Sequence, residues 1–321
     1  VLLDREILLF GGKGGVGKTT LAAAYALLAA DRGHRTLLVS TDPAHSTADI
    51  LEAAIGPEPV QVRPRLWAME IDPAGEADRY IAEVKQRIAD TTPPLLMPEV
   101  ERQIDIARVS PGAEEAALFE RFTRIMEGAG AGYDRILFDT APLGHTLRLF
   151  SLPEQMAAWM SGLISRRRKV SALGRMWRRV AGGAPEREAE RDDRILEALE
   201  ARRARFEQAR ATLTDAGRSA FVMVAIPERL PLLEAEKAIR VLEQHSVPVG
   251  ALFVNRVLPD DAEGAFLARR RERQAEVLRR VAIGGGGTPV HHIPLFEADV
   301  YGLHALRRVV AVLPDAPTLR G

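Results

Sequence analysis

The 321-residue chain is long enough for one large α/β domain or two ordinary ones. Basic and acidic residues balance at 44 each, so no global charge draws it to nucleic acid or to an anionic membrane; any such preference needs a local patch, and no nucleic-acid partner is expected. The absence of cysteine excludes disulfides, thiolate metal sites and thiol catalysis, and it fits a reducing compartment.

The residues ahead of the first strand, Val1–Glu6, are too short and too charged for a secretory signal. No run approaches the roughly 18 apolar residues of a membrane span. A cytoplasmic protein, able to associate peripherally with a membrane, is the expectation.

In chain order, Ile7–Phe10 is an apolar run that meets a glycine cluster, and Leu21–Ala30 is Ala/Leu-rich and helix-like. Thr36–Val39 is a second β-prone run, ending at Ser40-Thr41-Asp42-Pro43. Leu66–Ile71 alternates like a strand, and Arg135–Phe138 reads as a buried strand stopping at Asp139. Phe221–Ala225, Ala251–Val254 and Val290–Ile293 supply further strands, with helical patterns such as Leu232–His245 and Ala262–Val281 between them. Strands alternating with helices predict an α/β fold: a mostly parallel, doubly wound sheet with helices on both faces. Gly11–Gly12, Asp42 and Asp139 close three strands, where ligands of such sheets bind.

Residues 74–132 and 151–216 break this alternation and read as a helical subdomain inserted into a single domain spanning 1–321. Gly284–Gly287 is a flexible connection. Arg194–Arg210 mixes charges at i,i+3 and i,i+4 spacing and reads as an exposed helix.

Gly12-Lys13-Gly14-Gly15-Val16-Gly17-Lys18-Thr19 satisfies the phosphate-loop pattern G-x-x-x-x-G-K-[ST]. Glycines let the backbone wrap closely around phosphate oxygens. The following helix N-terminus, with Thr20 in its first turn, points free N–H groups at the same anion. Lys18 should reach the β- and γ-phosphates and the Thr19 hydroxyl should coordinate Mg²⁺. Asp139 is placed to hold that Mg²⁺ through a water. Asp42 is either the residue that orients the attacking water or an ordinary Asp-Pro turn signal. The expected ligands are therefore ATP and Mg²⁺.

Lys13 is a second lysine that an ordinary phosphate loop does not need. The segment K-G-G-x-G-K-T resembles the deviant loop of the ParA, MinD, nitrogenase iron protein and ArsA group. That resemblance implies a homodimer in which Lys13 reaches the partner's nucleotide, as an arginine finger does. Ser40–Ser46 resembles the first switch of the ArsA family, which comprises arsenite-pump ATPases and the targeting factors for tail-anchored membrane proteins. Asp139-Thr140-Ala141-Pro142-Leu143-Gly144-His145-Thr146-Leu147-Arg148 resembles its second switch, and Met69–Pro73 also matches. By this resemblance Asp42 positions or activates water. Pro43, His45, Thr140, Pro142, Gly144 and His145 are switch residues, neither histidine being a metal ligand.

Ile226-Pro227-Glu228 and Val254-Asn255 resemble the segments that contact ribose and base, and Ile293-Pro294-Leu295 with Gly302-Leu303 resembles the closing adenine-side loop. The likeness runs from about Ile7 to Leu306.

With no cysteine, neither thiolate-bound arsenite nor the zinc clamp of some family members is expected. Leu149–Leu163 carries Leu149, Phe150, Leu152, Met156, Trp159, Met160 and Leu163 at helical spacing. This set reads as buried core or as one wall of a client groove, with Leu95–Met126 as the other. Arg166–Val180 bears Arg166, Arg167, Arg168, Lys169, Arg175, Arg178 and Arg179 with no acidic residue. It reads as a helix lying on an anionic membrane, or as a solvated helix balanced by Glu186–Asp193.

Three roles fit these features. The first is an ATP-driven switch that binds a hydrophobic client helix or membrane-protein partner. The second is an ATPase subunit driving a membrane transporter. The third is a ParA/MinD-like positioning ATPase.

Overall fold

The computed structural model describes residues 1–41, 46–89, 97–98, 101–102, 105, 113–130, 132–140, 186–261, 263–284 and 287–316. Its strands are β1 (Ile7–Gly12), β2 (Thr36–Ser40), β3 (Val60–Arg63), β4 (Leu66–Glu70), β5 (Arg135–Asp139), β6 (Ser219–Ala225), β7 (Val249–Val257) and β8 (Val290–Pro294). The helices are α1 (Lys18–Asp31), α2 (Ser46–Leu51), α3 (Pro73–Ala89), α4 (Ala113–Glu127), α5 (Glu186–Thr214), α6 (Arg229–Gln244), α7 (Ala265–Gly284) and α8 (Gly302–Ala311).

The strands form one eight-stranded sheet in the order β3-β4-β2-β5-β1-β6-β7-β8. Every pairing is parallel except β3 with β4. The expected α/β architecture is the one observed. Continuous apolar runs such as Ile7–Phe10 make sense here, because β1 is buried along its whole length between β5 and β6; strands covered on both faces do not alternate.

Sequence reading missed β3. It pairs antiparallel at the sheet edge and is mostly exposed, so burial imposes little pattern on it. The chain reverses from β3 into β4 through Arg65, whose φ is 64°.

The chain folds as two compact units. The first comprises Val1–Pro73, Arg124–Arg148 and Thr212–Gly321, and the second Ala74–Thr123 and Leu149–Ala211. In the first unit α1 is buried nearly all round, as a helix apolar on every face should be. Its alanines admit close neighbours, and α8 and α2 both pack on it. Tyr25 lies within this helix with its ring between Phe10 and Phe253, at 5.7 and 5.9 Å. Burial pushes its hydroxyl far above the usual phenol range.

The second unit is helical among its described residues. The Glu120 carboxylate is 5% exposed and accepts from Arg202 at 3.0 Å and Arg205 at 2.7 Å. The Arg202 guanidinium also stacks on Tyr80 and Phe206, and Phe206 packs on Phe119 at 5.2 Å. This corrects the reading of Arg194–Arg210 as a merely exposed helix. A mixed-charge pattern does not reveal that its cations neutralise a buried acid, since the acid lies on another helix.

Two histidines of the first unit carry a pH dependence. Burial lowers the His291 pKa, with His292 adding to the effect and Asp315 opposing it. Burial lowers that of His34 too, aided chiefly by Arg135. The unfolded chain then takes up protons first, near 6.5. Stability present above that pH is lost as pH falls through it toward the depressed folded values. Urea midpoints should drop between about pH 7.5 and pH 5.5, and His34→Gln/His291→Gln should show a smaller drop. An equal drop would assign the dependence to other groups.

Candidate nucleotide site

The site begins where β1 ends. Gly12 is paired with Val224 of β6, and a Cβ there would lie 2.3 Å from the Val224 carbonyl oxygen. Only glycine allows the strand to run this close while turning into the loop. Gly14 and Gly15 form the open crest, and Val16 is buried at the base. Gly17 is the N-cap of α1 with φ 95°, and its missing side chain leaves room for Asn255, whose Nδ2 would be 2.2 Å from a Cβ.

The Asn255 amide fills that room by donating to the Val16 carbonyl at 2.9 Å, while its Oδ1 accepts from Arg256 N–H at 2.9 Å. A residue at the end of β7 therefore braces the loop at the end of β1.

Lys18 and Thr19 open α1 and are both buried. The Lys18 ammonium donates to the Lys13 carbonyl at 3.5 Å. The Thr19 hydroxyl donates to Asp139 Oδ2 at 2.6 Å, and Asp139 is fully buried. Thr140 follows, its hydroxyl and its N–H both donating to the Phe10 carbonyl, at 2.8 and 3.1 Å. Thr41 N–H donates to the Asp139 carbonyl at 2.9 Å. The ends of β1, β2 and β5 are thus locked together in the crevice where open α/β sheets bind their ligands.

A cavity of about 270 Å³ adjoins the loop, bounded by Gly17, Thr20, Asn255, Pro294 and Leu295, together with Arg256 and Phe296. The structure therefore gathers Asn255, Pro294 and Leu295 beside the loop. Glu228 is not among the residues that bound this cavity. That residue lines a neighbouring groove and pairs with Arg270 at 3.4 Å. The Lys13 ammonium pairs with Glu234 of α6 at 3.1 Å, both half-exposed. Asp42, Pro43, His45, Pro142, Gly144 and His145 lie outside the described residues, as do Leu149–Leu163 and Arg166–Val180.

Glu70 falls within the Met69–Pro73 match, where its residue type alone suggests no role. It is 8% exposed and its Oε1 accepts from Ala48 N–H at 3.0 Å. The last residue of β4 so caps the start of α2, which follows the Ser40–His45 segment. Its signal in the sequence is only a carboxylate at a strand end. Sequence reading also passes over Arg256; its φ of 60° is a conformation that side chains other than Asn, Asp and His seldom adopt.

Among the described residues no three His, Cys, Asp or Glu side chains cluster as a multidentate protein cage would require. The Thr19–Asp139 pair nonetheless fits magnesium, which takes few protein ligands and completes its shell with phosphate and water oxygens.

A parallel sheet, a glycine loop opening α1 and a buried acid on the neighbouring strand define a P-loop NTPase. The chain belongs to the ArsA family of ATPases: the sequence model of that family, described as anion-transporting ATPase, matches residues 5–315. An arsenical pump-driving ATPase of Acidiphilium multivorum is 34% identical over 315 residues, covering 96% of this chain but 49% of that protein. ATPase GET3C of Arabidopsis thaliana is 32% identical over 324 residues, 95% of this chain and 81% of its own. ATPase ASNA1 homolog 1 of Paramecium tetraurelia is 30% identical over 306 residues, 94% and 90% of the respective lengths. The protein is accordingly an ATPase. No helix among the described residues is long and apolar enough to cross a membrane.

Proposed function

We propose that the protein is a homodimeric Mg²⁺–ATP switch that couples hydrolysis to the binding of a hydrophobic membrane-protein client. The observation that carries this reading is the division of labour between its two loop lysines. Lys18 is buried inside the loop, whereas Lys13 stands half-exposed and turned outward to Glu234. A cation so placed suits a nucleotide outside its own loop, that of a second copy.

The glycine amides, Lys18 and the α1 N-terminus bind and orient the triphosphate. Thr19 and Asp139 would hold magnesium, which supplies neutralisation of β,γ-phosphate charge when bound. Asp42 orients the attacking water. Lys13 of the second copy stabilises charge that builds up on transfer. Asn255, Pro294 and Leu295 hold the base, and the 139–148 segment senses the γ-phosphate. ATP closes the dimer and brings the inserted helices together into an apolar client surface; loss of the γ-phosphate then releases the switch segments and opens the dimer, an order-and-rearrangement device. The inserted helices, about 74–132 and 151–216, form the client-binding subdomain in this reading. The GET3 and ASNA1 names of the relatives support a client-targeting role.

A second reading, an ATPase subunit of an anion or metalloid pump, is favoured by the name of the Acidiphilium relative. Arsenite itself is disfavoured, because this chain has no cysteine to hold a soft metalloid.

Turnover should rise with an apolar helix in liposomes and stay flat with arsenite or antimonite; the reverse result would move the protein to the pump reading. Lys13→Ala should lower turnover about 10³-fold with ATP binding retained. Glu234→Gln should leave turnover intact or raise it, because an exposed ion pair holds Lys13 by only about 0–1 kcal/mol. Wild-type turnover in Lys13→Ala would remove the cross-dimer role.

A further inference from the structure

We propose that the groove beside the base cavity is a docking site for an acidic, amphipathic peptide segment of a partner protein. It measures about 900 Å³ and runs along α7 past the segments that follow β6 and β7. Arg229, Arg256, Arg269 and Arg273 line it, and among the described residues none of these guanidiniums has a carboxylate partner. Only Arg270 is paired, with Glu228 at 3.4 Å. A chain of zero net charge thus gathers unneutralised arginines in one depression, and arginine pairs bidentately with carboxylates.

Apart from Gln274 and the paired Glu228, the lining between the arginines is apolar. Phe266 stands 66% exposed at one end of α7, and Leu258, Val277 and Leu295 are among the other apolar residues of the lining. Phe266, Arg269, Arg273 and Val277 recur at the spacing of one helical face, a stripe of roughly 16 Å at the helical rise. A small anion would need its cations converged on one point and would leave this stripe bare. Carboxylates interleaved with apolar side chains, as on an acidic amphipathic helix, match both components. A second copy applying the same face would set arginine against arginine.

Arg256 gives the groove a connection to the nucleotide site. Its backbone is held at φ 60°, and conformations of this kind persist where surrounding structure enforces them, often at ligand sites. Its side chain and that of Leu295 line the base cavity as well as the groove. A carboxylate on Arg256 would therefore sit beside bound nucleotide.

The test is fluorescence anisotropy of the full chain with a labelled Glu/Leu model peptide of about four helical turns, and with a Lys/Leu peptide of the same pattern. The Glu/Leu peptide should bind and the Lys/Leu peptide should not. Arg269→Glu/Arg273→Glu should weaken binding by about tenfold or more, with binding of a fluorescent ATP analogue retained. Phe266→Ala, which keeps every charge, should weaken it severalfold. Undiminished binding in the arginine variant would overturn the proposal, and so would equal binding of the Lys/Leu peptide. Full displacement by inorganic tripolyphosphate would reassign the groove to phosphates, and displacement by oligothymidylate to single-stranded nucleic acid. Loss of a concentration-dependent dimer in the arginine variant, with no peptide binding by the wild type, would reassign it to self-association.

Discussion

Lys18→Ala should lower ATP turnover by about 10²–10³-fold and abolish the stabilisation that nucleotide confers, while leaving the nucleotide-free fold intact. Lys18 is 3% exposed and opens α1, so its charge lies among the loop amides where a phosphate would sit. Electrostatic stabilisation in such a dry site is worth far more than in water. Alanine is a good helix former, so the helix that Lys18 opens is preserved. The measurement is a pair of melting curves. At ATP near 100 times its dissociation constant the wild type should gain about 2.7 kcal/mol, and the variant should gain almost nothing. An unchanged nucleotide-induced shift in Lys18→Ala would mean that ATP binds elsewhere.

Gly17→Ala should destabilise the protein by about 2–3 kcal/mol. One part is backbone: φ is 95° at Gly17, a region that costs an L side chain about 1–2 kcal/mol. The other part is Asn255, whose Nδ2 would lie 2.2 Å from the new Cβ. An amide at the end of a side chain can swing aside, but it then gives up its bond to the Val16 carbonyl, worth about 0.5–1.5 kcal/mol. The two contributions separate in a double-mutant cycle. In an Asn255→Ala background, Gly17→Ala should cost only its backbone part. An identical cost in both backgrounds would deny the close approach of β7 to the loop. Nucleotide affinity should fall with stability in Gly17→Ala, because the same bond shapes the loop.

The phosphate loop was legible because its chemistry is local. Glycine, lysine and threonine at fixed offsets specify a backbone path whatever the rest of the chain does. The strands were legible where burial on both faces wrote a continuous apolar run, as in Ile7–Phe10 and Phe221–Ala225. β3 left no such record, since its edge position exposes it. Glu228 looked equivalent to Asn255 in the sequence, each lying near the end of an apolar run. The fold separates them: Asn255 turns to Val16, whereas Glu228 meets Arg270 in the adjoining groove.

What the sequence alone determined was the ATPase loop, its family and the alternation of strand and helix. These rest on spacings within a few turns of chain, where stereochemistry acts directly. The tertiary structure decided which distant residues meet. It set Asn255 against a carbonyl 239 residues away and Lys13 against a carboxylate 221 residues away, and it collected arginines of α7, β7 and α6 around one groove. Periodicity records that a face is buried or exposed but not what lies opposite it. That is settled by the spatial order of the strands in the sheet.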